Sequence, residues 1–373
     1  MKVNFNIFLL ILVAGVSSCS DDNSAKLTED DTIKVGNPVE TMPANTTYKP
    51  AFEGQTRIGS VQTTTQLNIQ ELSNTLGSPW GITFMPNGNL LITEKSGFMQ
   101  IFTADGVLVS KVEGFPSVDD SGQGGLLDVA LDPDFASNRM IYWSFSEPFG
   151  NGNLTAVAKG KLSNNEKLIE NPVVVFRAET SYNGSLHFGG RIIFDSEGNI
   201  FVSTGERSDL LTRSQAQDLS SGLGKIMKIN VNGGAVSSNP FIGEQGVKPE
   251  IYSYGHRNVQ GLAVHPETQL LWETEFGAKG GDEINLIQPS KNYGWPIISY
   301  GYEYNGNKIG EGITQKEGME QPVYYWDPSI SPSGIDFYTG TAVPEWQNNL
   351  FIGALSGKHI VRIVIKNNKV VGE

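Results

Sequence analysis

The sequence predicts an all-β propeller, and three observations carry that prediction. One pattern recurs five times from Trp80 onward: a glycine, an alternating apolar run, a turn rich in Pro, Asp or Gly, and a second apolar run. Within each run the alternation has a period of two, as in a strand. Helical periodicity beyond about two turns is absent, whereas glycine reaches 43 residues, many of them in turn contexts.

The five copies follow in order. The first is Gly81 to Glu94, turning at Pro86-Asn87-Gly88. The second runs from Gly125 through Leu131-Asp132-Pro133-Asp134 to Trp143, and the third from Gly190 through Asp195-Ser196-Glu197-Gly198 to Glu206. The fourth opens at Gly261 and reaches Glu275; the fifth opens at Gly334 and reaches Gly353. Each reads as a hairpin whose turn needs Gly or Asn. No hairpin buries its apolar face alone, so repeats of roughly 40 to 50 residues stack as blades around an axis. The spacing is uneven and places long insertions between blades. Such loops gather on one face of a propeller and carry function.

The N-terminus reads as a processing signal. Lys2 supplies a positive start, Phe5 to Val16 is almost wholly apolar, and Ser17-Ser18 leads to Cys19. This resembles a bacterial lipoprotein signal at 1–19, with Cys19 as the lipidation site. It predicts an exported protein, periplasmic or on the cell surface, anchored to the lipid bilayer through Cys19. As the only cysteine, Cys19 leaves no intrachain disulfide to staple the fold. Residues 20–66 are polar, acidic and rich in Ser, Thr, Asn and Pro, and are expected to form a solvated tether, with 67–373 as the propeller domain.

Charge and motifs exclude several function classes. A formal net charge of −13 repels nucleic acid. No HExxH, cysteine-based metal set or G-x-G-x-x-G is present, and the run Gly353 to Lys358 is one residue short of a phosphate loop. Nucleotide cofactors are therefore not expected.

Four histidines remain as candidates. His187 precedes the third hairpin, and Gly189-Gly190 after it allow a tight turn that aims the ring into a loop-lined mouth. Loop histidines are often structural, so both readings stand on the residues alone. His256-Arg257-Asn258 offers forked donors suited to carboxylate or quinone oxygens, or to ties between blades. His265 is expected as a solvated turn residue, and His359 has no assigned role. The segment Phe276 to Asn285 combines backbone carbonyls with oxygen side chains, a set calcium favours, or forms an ordinary acidic turn. Aromatics at Tyr293, Trp295, Tyr300, Tyr302 and Tyr304 suit a flat or sugar-like ligand, or blade packing.

Taken together and in this order, Gly122-Gln123-Gly124-Gly125-Leu126-Leu127-Asp128, His187 with its glycines, Tyr254 to Asn258, Gly280 to Ile287 and Asn292 to Pro296 resemble the pyrroloquinoline-quinone-dependent sugar dehydrogenases of the soluble glucose/sorbosone dehydrogenase family. The resemblance covers about Leu76 to the C-terminus. It implies an all-β, six-bladed propeller that oxidises the anomeric hydroxyl of aldoses, with quinone over the axis and calcium beneath it. It implies His187 as general base, Glu206 as the carboxylate orienting it, and Arg257 as a cation stabilising charge on the quinone. Gln123, Arg257, Asn258, Tyr304 and the segment Ala354-Leu355-Ser356 match cofactor contacts. The carbonyls of Gly277 and Ala278 match the cofactor's calcium site, and Glu283 and Tyr293 match a structural calcium site. A respiratory electron acceptor is the implied redox partner. Three departures stand out: Ala278 where proline is frequent, Ser356 where a lysine is expected, and an end at Glu373 before the family's last hairpin. The sixth blade is accordingly expected to be incomplete, drawing on a strand near 57–67, with an open gap between the first and fifth blades. Two other functions fit the residues: a calcium-dependent propeller hydrolase of the lactonase type, and a non-catalytic carbohydrate-binding propeller.

Overall fold

The computed structural model describes residues 35–373; the signal stretch and Cys19 lie outside the described residues. Five four-stranded antiparallel sheets form the blades. The first contains β1 (Pro79–Phe84), β2 (Leu90–Glu94), β3 (Phe98–Phe102) and β4 (Leu108–Val112); the second β5 (Leu126–Leu131), β6 (Met140–Phe149), β7 (Gly152–Leu162) and β8 (Ile169–Arg177). The third contains β9 (Gly189–Phe194), β10 (Ile200–Thr204), β11 (Lys225–Ile229) and β12 (Ile251–Tyr254). The fourth contains β13 (Val259–Val264), β14 (Leu271–Glu275), β15 (Asp282–Ile287) and β16 (Tyr324–Trp326), and the fifth β17 (Pro332–Phe337), β18 (Leu350–Ala354), β19 (His359–Lys366) and β20 (Lys369–Gly372). Each predicted hairpin is the first two strands of one blade. The first and third turns are as expected, with Gly88 at φ 85° and Gly198 at φ 79°, whereas a helical turn (Phe135–Asn138) fills the second, Gln269 takes the left-handed position in the fourth at φ 57°, and residues 338–349 join β17 to β18.

The first strands share a further feature. Two residues oppose one at Trp80-Gly81 against Thr93, Leu127-Asp128 against Ser144, Gly190-Arg191 against Ser203, and Ser333-Gly334 against Gly353. In the fourth blade Gln260 is the extra residue. Such bulges bend a strand and re-aim its side chains.

The opposing hydroxyls latch the blades. Thr93 Oγ1 accepts the Gly81 N–H at 2.7 Å and donates to Leu127 O of the next blade at 2.5 Å. Ser144 Oγ accepts from Asp128 and donates to Gly190 O; Ser203 Oγ accepts from Arg191 at 2.9 Å and donates to Val259 O at 3.1 Å. Thr274 Oγ1 continues to Ser333 O at 3.1 Å. At the equivalent place in the fifth blade stands Gly353, and the relay ends.

Arg191 ties the same bulges together. Its Nη1 donates to Asp128 Oδ1 at 2.8 Å and its Nε to Gln260 O at 2.9 Å, and its guanidinium lies 4.2 Å from the Trp80 ring. A side chain on Gly334 would meet Arg191 Nη2 at 3.1 Å. One cation thus touches the first, second, fourth and fifth blades from the third.

The expectation of six blades is corrected to five among the described residues. Residues 57–67 form no blade strand of their own. Val61 N–H donates to Glu373 O at 2.8 Å and Glu373 N–H to Gly59 O at 3.2 Å, so this segment is captured at the outer edge of the fifth blade. The stretch before it also lies on the propeller: Asn45 and Thr46 N–H groups donate to Asp327 at 2.8 and 2.9 Å, and Gln55 Nε2 to Pro322 O at 2.9 Å. Ile82 and Phe84 on β1 and Ile360 on β19 stay exposed and line one cavity of about 790 Å³ that extends to Gln123, Phe188 and Phe276. No helix among the described residues is long and apolar enough to cross a membrane.

Candidate active site

The loop before β9 and the end of β10 bring His187 and Glu206 together. Gly205 makes this approach possible, since a Cβ there would lie 2.2 Å from His187 O. His187 Nδ1 and Glu206 Oε1 are 2.7 Å apart, both side chains buried at 6% and 1% exposure. A carboxylate accepts from Nδ1–H, which fixes the tautomer and leaves Nε2 as the ring's free base. Burial, and next the Arg257 charge, push the His187 pKa down to about 4 against the upward pull of Glu206. The imidazole is therefore neutral at physiological pH, the state a proton acceptor needs.

Gln123 reaches the same histidine by its backbone. Its Oε1 accepts the His187 N–H at 2.7 Å, and its own N–H donates to Ser185 O at 2.7 Å. Asn258 Oδ1 accepts the Gly189 N–H at 3.1 Å, and Arg257 O accepts the Glu206 N–H at 3.0 Å. Glu275, which sequence reading left without a role, accepts the N–H groups of Arg257 and Asn258 at 2.5 and 3.1 Å and so shapes their turn. The signal was an acidic residue inside a fully buried strand.

Arg257 is buried, donates from Nη1 to Phe276 O at 3.1 Å, and lies 5.1 Å from the Trp295 ring. Its Nε and Trp295 Nε1 are buried donors without protein partners. These two atoms are closed to solvent, so it is the fixed Arg257 charge beside the Trp295 ring that suits an anionic, oxygen-rich ligand such as the quinone. Tyr304 is 73% exposed on a hairpin tip, Ala354 is packed in the core, and Leu355 and Ser356 are exposed beyond it.

The loop 277–281 has the donor chemistry for calcium. Asp282 Oδ1 accepts the Gly277 N–H at 2.8 Å, and its Oδ2 accepts those of Ile330 and Ser331, each at 2.7 Å. The Lys279, Gly280 and Gly281 N–H groups also donate to protein acceptors. Of its carbonyls, Lys279 O accepts the Tyr302 N–H at 3.0 Å and Ala278 O the Ser329 hydroxyl at 3.4 Å, which leaves Gly277 O without a protein donor and Ala278 O with a long bond to exchange for a hard cation. The Glu283 carboxylate accepts from Asn285 Nδ2 at 3.1 Å, and the Tyr293 ring stacks on His256 at 4.8 Å.

His256 departs from its expected place among ligand donors: it is fully buried, 2.8 Å from Ser253 Oγ. Its ring, Glu273 and Glu275 place ligand atoms within 4.8 Å of one another. Within this group Asn285 Nδ2 donates to Glu273 Oε1 at 2.7 Å, while Glu273 Oε2 and Asn285 Oδ1 are orphaned. Burial and the Glu275 charge raise the Glu273 pKa well above the carboxylate range. His265 is also corrected: it is buried, and its Nδ1 accepts from the Glu267 and Thr268 N–H groups, both at 3.2 Å.

Fold and site define a β-propeller with a carboxylate-oriented histidine among loops at the start of its inner strands. The model of the Glucose / Sorbosone dehydrogenase family matches residues 76–373, and the chain belongs to that family. It is 42% identical over 307 residues to an aldose sugar dehydrogenase of Escherichia coli K12, covering 82% of each chain. It is 27% identical over 368 residues to quinoprotein glucose dehydrogenase B of Acinetobacter calcoaceticus, covering 78% of this chain and 76% of that one. The solved apo-form of the soluble E. coli aldose sugar dehydrogenase superimposes with a TM-score of 0.77 at 41% identity, over 81% of this chain and 87% of that one. The PQQ-bound aldose sugar dehydrogenase of Streptomyces coelicolor gives a TM-score of 0.67 at 32% identity, over 82% of each.

Proposed function

We propose that this protein oxidises aldose sugars at the anomeric carbon to lactones, with pyrroloquinoline quinone and calcium as cofactors. The observation that carries the reading is the buried, neutral His187 held by Glu206, with Nε2 free to take a proton. When bound, the calcium-supported quinone supplies the acceptor for the hydride leaving the anomeric carbon. His187 Nε2 takes the hydroxyl proton as the carbonyl forms, and Glu206 stabilises the resulting imidazolium. Arg257 places a fixed cation where negative charge develops. Gln123 and Asn258 orient the loops around both, and the carbonyls of Gly277 and Ala278 are the calcium ligands. Glu283 and Tyr293 are proposed for a structural calcium, and Tyr304 with Ala354, Leu355 and Ser356 for the cofactor's rim. The electrons pass to a respiratory acceptor, from an exported protein anchored through Cys19.

Two outcomes test this. In the quinone-free protein, chelation should abolish quinone uptake followed by absorbance, and calcium should restore it; full uptake after exhaustive chelation contradicts the metal's role. The pH dependence follows from the depressed pKa. A base with a folded pKa of about 4 stays neutral as pH falls past 6.5, so kcat/KM should hold there and decline only towards about pH 4. An acid limb centred at the ordinary imidazole value contradicts the buried-base account.

A further inference from the structure

Arg207 follows the orienting carboxylate in sequence, and its side chain reaches the loop that carries the base. The arginine is buried, at 3% exposure, and its own φ is 74°. Its Nη2 donates to Gly184 O at 2.5 Å and its Nε to Leu186 O at 3.0 Å. Its guanidinium lies 3.9 Å from the Phe188 ring. It therefore holds the chain on both sides of His187, which itself sits in the left-handed region at φ 47°. That conformation is unfavourable for a residue with a Cβ and persists only when its surroundings enforce it.

Other backbone groups of the loop are engaged as well. Ser185 O and the His187 N–H pair with Gln123, and Phe188 O accepts from Thr155 Oγ1 at 2.6 Å. Gln123 and Thr155 belong to the second-blade side, whereas Arg207 grips from the third. Behind it, Asn153 O and Oδ1 accept from Nη1 and Nη2 at 3.2 and 2.7 Å, and Asn153 Nδ2 donates to Asp119 at 2.6 Å. The fork has five donors in fixed directions, a geometry lysine cannot reproduce.

We infer that Arg207 is a positioning residue for the base: it locks 184–188 so that the strained His187 presents Nε2 in one place. The role of the base rests on the proposed function; the clamp itself does not. Glu206 sets the direction of the ring, and Arg207 sets the position of its backbone. A displacement of about 1 Å in a reacting group costs on the order of a hundredfold in rate.

The test uses Arg207→Met and Arg207→Lys, with thermal unfolding to confirm folded protein. Amide hydrogen exchange on the quinone-free variants reads the clamp without any activity. Exchange across 184–188 should rise in both variants while β10 stays protected. In the loaded enzyme kcat should fall by about tenfold to a hundredfold, with KM and quinone binding unchanged. Arg207→Met should also move the acid limb upward, because the Arg207 charge helps depress the His187 pKa along with burial and Arg257; Arg207→Lys should leave the limb in place. Unchanged exchange and unchanged kcat in a folded Arg207→Met protein overturn the inference. A variant that does not fold leaves the lysine form to decide by the same two readouts. If the wild-type protein oxidises no aldose while loop exchange still rises in the variants, the clamp stands and the proposed function fails.

Discussion

Replacing His187 with alanine or glutamine should lower turnover by about two to four orders of magnitude, the range for loss of a general base. Quinone binding should persist, because Arg257 and the 277–281 carbonyls are separate from the imidazole. Glutamine keeps much of the ring's volume and offers an amide N–H to Glu206, so a loss there reads the missing basic nitrogen and not a collapsed loop. Alanine removes the partner of Glu206, whose Oε2 is already buried without a hydrogen bond, and should cost stability as well as rate. Turnover close to that of the unsubstituted protein in the glutamine variant would remove His187 from the chemistry.

The second large effect is on the fold. Arg191→Met should destabilise the protein by about 3–5 kcal/mol, the cost of stranding one partner of a buried ion pair. The Arg191 and Asp128 side chains are 14% and 4% exposed, so solvent cannot take over Asp128 cheaply. The substitution also removes the bond to Gln260 O and the contact with Trp80. Asp128→Asn should also be costly, since an amide that keeps Oδ1 on Arg191 turns its Nδ2 toward the Ile192 N–H, which Oδ2 accepts at 2.9 Å in the native protein. Equilibrium urea unfolding measures both; a shift below about 1 kcal/mol for Arg191→Met would show that the blades hold together without the axial tie.

The hairpins were legible in the sequence because their information is local. Pro86-Asn87-Gly88 between two alternating runs specifies a turn and two strands without reference to anything else. The outer strands were read less fully, although the Gly150-Asn151 turn that joins β6 to β7 is itself a local signal. The number of blades depended on where 57–67 docks, and that is fixed by Gly59 and Val61 meeting Glu373, residues more than 300 positions away. The hydroxyl relay left a trace: Thr93, Ser144, Ser203 and Thr274 stand at one place in successive repeats, each a small polar residue on a buried strand. His187 and Glu206 entered through resemblance, because 19 residues of separation carry no local pairing signal. Arg191 and Arg207 stood out in no motif. Only the bulges and the left-handed loop turn them inward, and neither has a reliable local code. His265 was misread for the converse reason: a turn position next to proline suggests solvent, but packing on Phe337 buries it.

The central claim is that this propeller oxidises an aldose through the His187 base. It is tested most directly by mixing the purified protein with pyrroloquinoline quinone, calcium and a panel of aldoses and following reduction of an artificial dye. Reduction that requires all three additions and is lost in His187→Gln is the predicted result. No reduction with any aldose in quinone-loaded protein, or equal reduction by His187→Gln, would contradict it.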